Sequence, residues 1–418
     1  MNTYVTAEIS ASAVAANTAW LRGLLAARAT AGPKPKLCAV VKADALGHGV
    51  ELLWPTLARL ADWLAVATPA EAVRLRELGY DGPLLQFLPP CAHADSREQA
   101  EALEDLIRRR VTLTLSAADE LAPIAAAARK ARVAADVHLK VDTGMGRSGA
   151  LPSAAVELAA RVRAADGLRL AGLYTHLATA DEPDKSATLE QLRVFRAVAE
   201  AIPRREELIV HAANSAATIA LPESHLDMVR CGVAVVGYWL ASGSPLNSSP
   251  LNSSQLNHLS PDRPQLDRSP LDRPQLDRSP PDRPPLRPAM RLWAPLVQVK
   301  RLPAGAGVGY GLTRRLARPS TIGIVPIGYG DGYMRCLSDR ATMRVGGRDC
   351  QVLGRVSMDQ TIVDLTDAPG ARAGEPAEII SPDPAAMNSL ECLSRLAGTI
   401  PQEIACRLAC RVRRVLVA

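Results

Sequence analysis

The chain has 418 residues, a formal net charge of +6, 48% hydrophobic and 22% charged residues, an ordinary globular composition long enough for two domains. Its pI is near 9.0, but the arginines are interspersed with Asp and Glu rather than gathered in a stripe, which argues against a nucleic-acid surface. Aromatic residues make up only 3%, so the core must be aliphatic, and each Tyr or His at a motif carries more information.

The opening MNTYVTAEISASAVAANTAW has no basic stretch, continuous apolar run or cleavage site of a secretory signal, and no segment reaches the ~20 apolar residues that span a bilayer. Eight cysteines include no C-x-x-C pair, and the closest two, Cys406 and Cys410, lie apart from any His-rich partner. These features lead us to expect a soluble cytoplasmic protein with reduced thiols, no metal site and no membrane or nucleic-acid partner.

In chain order, residues 1–11 read as a strand able to pair with the closing CRLACRVRRVLV. Residues 12–240 hold eight short apolar runs, LCAVVK, WLAVAT, PLLQF, VTLTL, VHLKV, LAGLYTH, LIVHA and MVRCGVAVVGY, separated by Ala/Leu/Arg stretches of helical period. Eight such units in this length predict an α/β fold, a (β/α)8 TIM-type barrel with its chemistry at the carboxyl ends of the strands. At 241–286 the sequence becomes a Pro/Ser/Asp-Arg repeat (SPLNS, PQLDR, SPLDR) that cannot bury a core and reads as a disordered insert, with a lid or docking arm as the alternative. Residues 287–418 carry Gly- and Pro-punctuated runs of strand spacing, a mostly β C-terminal domain.

Lys42 ends an apolar run in AVVKADALGHG and faces the barrel mouth, where partial desolvation would lower its pKa and make it a nucleophile toward an aldehyde; a snorkelling surface lysine is the plainer alternative. His176 closes GLYTH and reads equally well as a satisfied polar residue. In HAANSAA, Ser215 opens a short helix whose amides suit a phosphate, or it simply caps that helix. Arg230 lies on the last barrel run and, if buried, needs an acceptor, either a ligand or an acidic side chain. Tyr310 sits between glycines in GVGYGLT, where it could be only a turn aromatic.

The motifs AVVKADALGHG, VHLKVDTGMGRSG, GLYTHLATADE, HAANSAA, MVRCGVAVVGY, GVGYGLT, PIGYGDGY and GRVSMDQ, in this order, resemble the alanine racemase family over nearly the whole chain outside the insert. The resemblance implies a pyridoxal 5'-phosphate enzyme that interconverts L- and D-alanine for peptidoglycan, with Lys42 holding the cofactor and Lys42 and Tyr310 as opposed acid/base groups. It implies that Asn214, Ser215 and the amides of Gly232 and Val233 hold the cofactor phosphate. Arg230 contacts the pyridine nitrogen, and His176 lies beside the ring. Arg147 and the Met358 amide meet the substrate carboxylate, and Lys140 is a lysine that can be carbamylated. Tyr310 and Met358 are supplied across a homodimer with shared sites. Tyr329, Asp331 and Arg335 resemble the entrance to that site. The sequence departs at Leu46 and Gln402, where the family places tyrosines that bind phosphate. The loss of both puts cofactor affinity in doubt, and Gln402 also leaves room for serine or other amino acids; a degenerate cofactor-binding protein without turnover is the remaining alternative.

Overall fold

The computed structural model describes residues 2–28, 34–89, 97–239 and 283–418. Strand β1 (Asn2–Ser10) and an 18-residue helix (Ala11–Arg28) precede eight parallel strands that close into a barrel in chain order. These are β2 (Lys36–Val40), β3 (Trp63–Val66), β4 (Leu84–Gln86), β5 (Val111–Leu115), β6 (Ala135–Lys140), β7 (Leu168–Tyr174), β8 (Ile209–His211) and β9 (Met228–Cys231). Closure is made by β9 on β2, with Cys38 opposite Arg230. Each strand falls on one of the eight apolar runs, because a strand covered on both faces by barrel core and outer helices must be apolar throughout; in β5 every residue is buried.

The remaining strands are β10 (Met290–Pro295), β11 (Gln298–Leu302), β12 (Gly307–Val308), β13 (Arg314–Arg315), β14 (Ser320–Val325), β15 (Thr342–Val345), β16 (Arg348–Gln351), β17 (Thr361–Asp364), β18 (Pro376–Ile380) and β19 (Val412–Val417). They form a six-stranded sheet in the order β16-β15-β18-β10-β1-β19, a three-stranded sheet β11-β14-β17 and the hairpin β12-β13. Both chain ends meet there, β1 running antiparallel to β10 and parallel to β19. In β10, Met290, Leu292 and Ala294 are buried while Arg291 on the other face bridges Glu8 (3.3 Å) and Glu378 (2.8 Å) on the neighbouring strands. This alternation is what a one-sided sheet requires. No helix among the described residues is long and apolar enough to cross a membrane.

The repeat expected to be disordered lies outside the described residues, apart from its last few positions. The chain on its two sides is clamped together. Asn17, fully buried, donates to Val235 O (3.1 Å) and Arg287 O (2.8 Å) and accepts from Arg287 N–H (2.8 Å). Ala289 N–H donates to Val236 O (3.0 Å). Gly237 has φ +91°, and a Cβ there would lie 1.8 Å from Arg287 O, so only glycine lets the two segments approach. Replacing Asn17 by Ala removes the side-chain partner of three backbone groups, one buried and two part-buried. We expect it to lower stability by roughly 2–4 kcal/mol in urea unfolding; an unchanged midpoint would show that the clamp is dispensable.

Candidate active site at the barrel mouth

Lys42 follows β2 by two residues and enters a turn that is left-handed rather than glycine-rich. Ala43, Asp44, Ala45 and Leu46 all have φ between 52° and 55°, which costs roughly 1–2 kcal/mol at each non-glycine residue. The turn is closed by Ala45 N–H to Val41 O (2.9 Å) and Gly47 N–H to Ala43 O (2.8 Å). It brings Lys42 to the open mouth, where its ammonium is held below the usual lysine value by desolvation and then by the nearby Arg147 cation. A freely solvated surface lysine would show neither effect.

Arg230 points into the barrel from β9 and is only 4% exposed. Its guanidinium donates to Thr175 O (2.7 Å), Ala212 O (3.0 Å) and His211 Nδ1 (2.9 Å), with His176 Nδ1 at 3.5 Å, and lies 5.2 Å over the Tyr174 ring. Among the described residues, no carboxylate forms an ion pair with it. The acidic-partner alternative therefore falls away, and a buried cation is left among neutral acceptors. Arginine can only donate, so His211 accepts at Nδ1 and carries its proton on Nε2, which it donates to His138 Nδ1 (2.9 Å). Burial and then the Arg230 charge hold His211 well below its ordinary pKa; burial and the same cation hold His176 at about 3. Both rings are neutral at physiological pH.

Lys140 ends β6, 7% exposed, with Nζ 5.8 Å over Tyr174. Desolvation, then Arg147 and Arg230, push its pKa down to about 8. Arg147 sits in the loop that follows. That loop is folded by Asp142, whose carboxylate accepts four backbone N–H groups, from Gly144 (3.1 Å), Met145 (2.8 Å), Gly146 (3.1 Å) and Arg147 (3.0 Å). Lys42, Lys140, Arg147 and Arg230 thus form one cationic basin around a neutral His176, suited to a ligand carrying several negative charges.

Ser215 opens the helix Ser215–Ala220, but the cap is Asn214, whose Oδ1 accepts Ala217 N–H (3.0 Å). Ser215 Oγ is thereby free to receive the N–H groups of Gly232 (3.1 Å) and Ala234 (3.3 Å). The Val233 amide between them donates no described hydrogen bond, which leaves it available to an anionic ligand. Leu46, 6% exposed, covers this cradle with Cδ1 3.5 Å from where a Gly232 Cβ would be.

Tyr310 (70% exposed) and Met358 (54%) lie on the C-terminal β region, and no described hydrogen bond links them to the basin. Nearby, Gly330 N–H donates to Met358 O (2.8 Å), and buried Asp331 pairs with Arg411 (2.7 Å). Tyr329 is 45% exposed, and Arg335 starts a short 3-10 turn. Gln402 stands on the helix Pro401–Cys406, packed so closely on the Lys42 turn that a Cβ at Gly47 would be 2.0 Å from Ala405 O; Gln402 Oε1 is buried without a hydrogen-bond partner. The residues that sequence reasoning missed are His138, Tyr174 and His211, the buried ring-bearing polar residues of β6, β7 and β8. Among the described residues no three of His, Cys, Asp or Glu gather as a metal site would.

The family model described as the alanine racemase N-terminal domain matches residues 9–239, and that of the alanine racemase C-terminal domain matches residues 289–416. Alanine racemases of Beutenbergia cavernae and Thermobifida fusca are each 36% identical, covering 98% and 96% of this chain and 97% and 98% of their own. Among solved structures, alanine racemase from Streptomyces lavendulae superposes with a TM-score of 0.81 at 34% identity, covering 100% of this chain and 98% of that one. The Streptomyces coelicolor enzyme gives 0.80 at 33%, covering 99% and 98%. The chain belongs to the alanine racemase family.

Proposed function

We propose that this chain is a pyridoxal 5'-phosphate-dependent alanine racemase, acting in the cytoplasm as a homodimer with shared sites and supplying D-alanine for peptidoglycan. The observation that carries the reading is Arg230: a guanidinium buried among neutral acceptors, paired with no carboxylate among the described residues, across the mouth from a lysine of lowered pKa. The residues fit the cofactor. Lys42 offers the amine for its aldehyde, Ser215 with the Gly232 amide suits its phosphate, and Arg230 gives a permanent donor at the ring nitrogen. Bound there, pyridoxal phosphate supplies an electron-withdrawing ring that acidifies the α-C–H of an amino acid joined to it.

The remaining chemistry belongs to the chain. Arg147 binds the substrate carboxylate, and the Met358 amide, which donates no described hydrogen bond within the chain, binds it from the partner subunit. On one face the Lys42 amine takes or returns the α-proton; on the other the phenol of Tyr310 from the partner subunit does the reverse. Because Arg230 donates and never accepts, it would hold the cofactor's ring nitrogen unprotonated, which would weaken the electron sink and favour racemisation over transamination. The exposure of Tyr310, with no described hydrogen bond to the basin of its own chain, supports a site completed by a second copy.

Mixed dimers test this arrangement. Lys42→Ala and Tyr310→Phe homodimers should each lose at least about a thousandfold in alanine racemisation. Refolded together, they should regain about a quarter of wild-type activity, because half the dimers then carry one intact site. No regain would contradict shared sites, and activity in Lys42→Ala alone would contradict the role of the lysine.

Lys140 is crowded by Arg147, Arg230 and Lys42. Reaction of its neutral amine with carbon dioxide, releasing one proton, turns this fourth cation into an anion beside Arg147 and Arg230. Since the amine titrates at about 8, carbamate should increase as pH rises through 8 in bicarbonate and fall below it. Native mass spectrometry reads this as one added carbon dioxide, lost in Lys140→Ala; an unmodified mass at pH 9 would rule it out.

A second reading, racemisation of serine, is favoured by the unpartnered Gln402 Oε1, an acceptor that a substrate hydroxyl would satisfy. Gln402→Tyr should then lower the serine-to-alanine ratio of kcat/KM by roughly tenfold, whereas an unchanged ratio would remove this reading.

A further inference from the structure

The left-handed turn at Lys42 must be held against its own strain. Two of its contacts are exposed: Ala43 N–H to Glu71 Oε1 (2.6 Å) and Val50 N–H to Asp44 Oδ1 (2.7 Å). A third, Arg414 Nε to Gly47 O (2.8 Å), reaches it from β19. The fourth is buried. His48, with no exposure, has Nδ1 3.1 Å from Ala45 O and 2.9 Å from Leu46 O, while its Nε2 is 3.1 Å from the hydroxyl of Tyr238, 1% exposed.

Two carbonyls can only accept, so Nδ1 carries the proton and Nε2 accepts from the phenol. Burial drives His48 down to about 4 and Tyr238 well above its ordinary value, so neither gains charge near neutral pH. The pair is a neutral strut from the segment after β9 to the two carbonyls where the turn is left-handed. Both side chains are shielded from bulk solvent. Nothing in the pair touches the basin itself, so any effect on chemistry passes through the placement of Lys42.

Building on the racemase reading, we propose that His48 and Tyr238 are positioning residues for Lys42: they hold the left-handed turn that keeps its amine in the cationic basin. Lys42 there faces Arg147 and Lys140 from the barrel, with Glu71 and Cys406 on the elements packed against the turn. A turn relaxed toward ordinary backbone carries the amine away from Arg147 and back into water.

The test compares wild type with His48→Leu, His48→Asn and Tyr238→Phe. In cofactor-free protein, the pH dependence of acetylation at Lys42, read by peptide mass, reports the titration of the amine. In cofactor-loaded enzyme, kcat and KM for alanine are measured. His48→Leu and Tyr238→Phe should shift the acetylation midpoint upward and lower kcat roughly tenfold to a hundredfold with KM little changed. His48→Asn, which keeps a donor for the two carbonyls, should recover most of both. Tyr238→Phe with midpoint and kcat unchanged overturns the proposal whether or not His48→Leu folds. Failure of both variants to fold also overturns it, since the pair would then serve the scaffold as a whole. A wild-type chain that does not racemise would count against the activity alone, because the acetylation midpoint is read without cofactor.

Discussion

Arg230 carries a full positive charge into the interior of a barrel where no carboxylate among the described residues pairs with it, and much of the surrounding structure is arranged around that charge. Two strand-end carbonyls, the ring of Tyr174 and a neutral imidazole surround the guanidinium. Its inability to accept a proton then fixes the tautomer of His211 and, one hydrogen bond further, of His138. Tyr174 stacks on His211 with centroids 4.8 Å apart and planes 6° from parallel, so the ring that faces the cation also holds the imidazole that serves it. A buried cation without a counter-ion is costly, and an anionic ligand above it would offset that cost.

The same charge sets the character of the mouth. Desolvation, then Arg147 and Arg230, lowers Lys140 to about 8, and desolvation, then Arg147, lowers Lys42. The lowered lysines thus follow from burial at the mouth, reinforced by arginines that cannot give up their own protons. The mouth is also where the two regions of the chain join. Gly47 accepts from Arg414 of β19 and packs on Ala405, so the turn that bears Lys42 is braced by barrel and β region alike.

The barrel was legible because its strands are apolar on both faces, and each of the eight runs became a strand. Lys42, Arg230 and Ser215 were legible as residue types out of place at strand or helix ends. The shape of the Lys42 turn was not: KADAL contains no glycine, and the groups that bond its four consecutive left-handed residues include Glu71 and Arg414 from elsewhere and His48, itself met by the distant Tyr238. His138 and His211 were missed for a related reason. Their meaning lies in a hydrogen bond between residues 73 apart, which no local pattern carries.

The central claim is that Lys42 is the amine this cationic basin prepares for a phosphorylated aldehyde. The direct test is to add pyridoxal 5'-phosphate to the purified chain, reduce with borohydride, digest, and find by mass which lysine carries the fixed cofactor. The account predicts a single modified peptide containing Lys42, with the modification suppressed by excess inorganic phosphate. Label spread over surface lysines, or concentrated on Lys140, would contradict it.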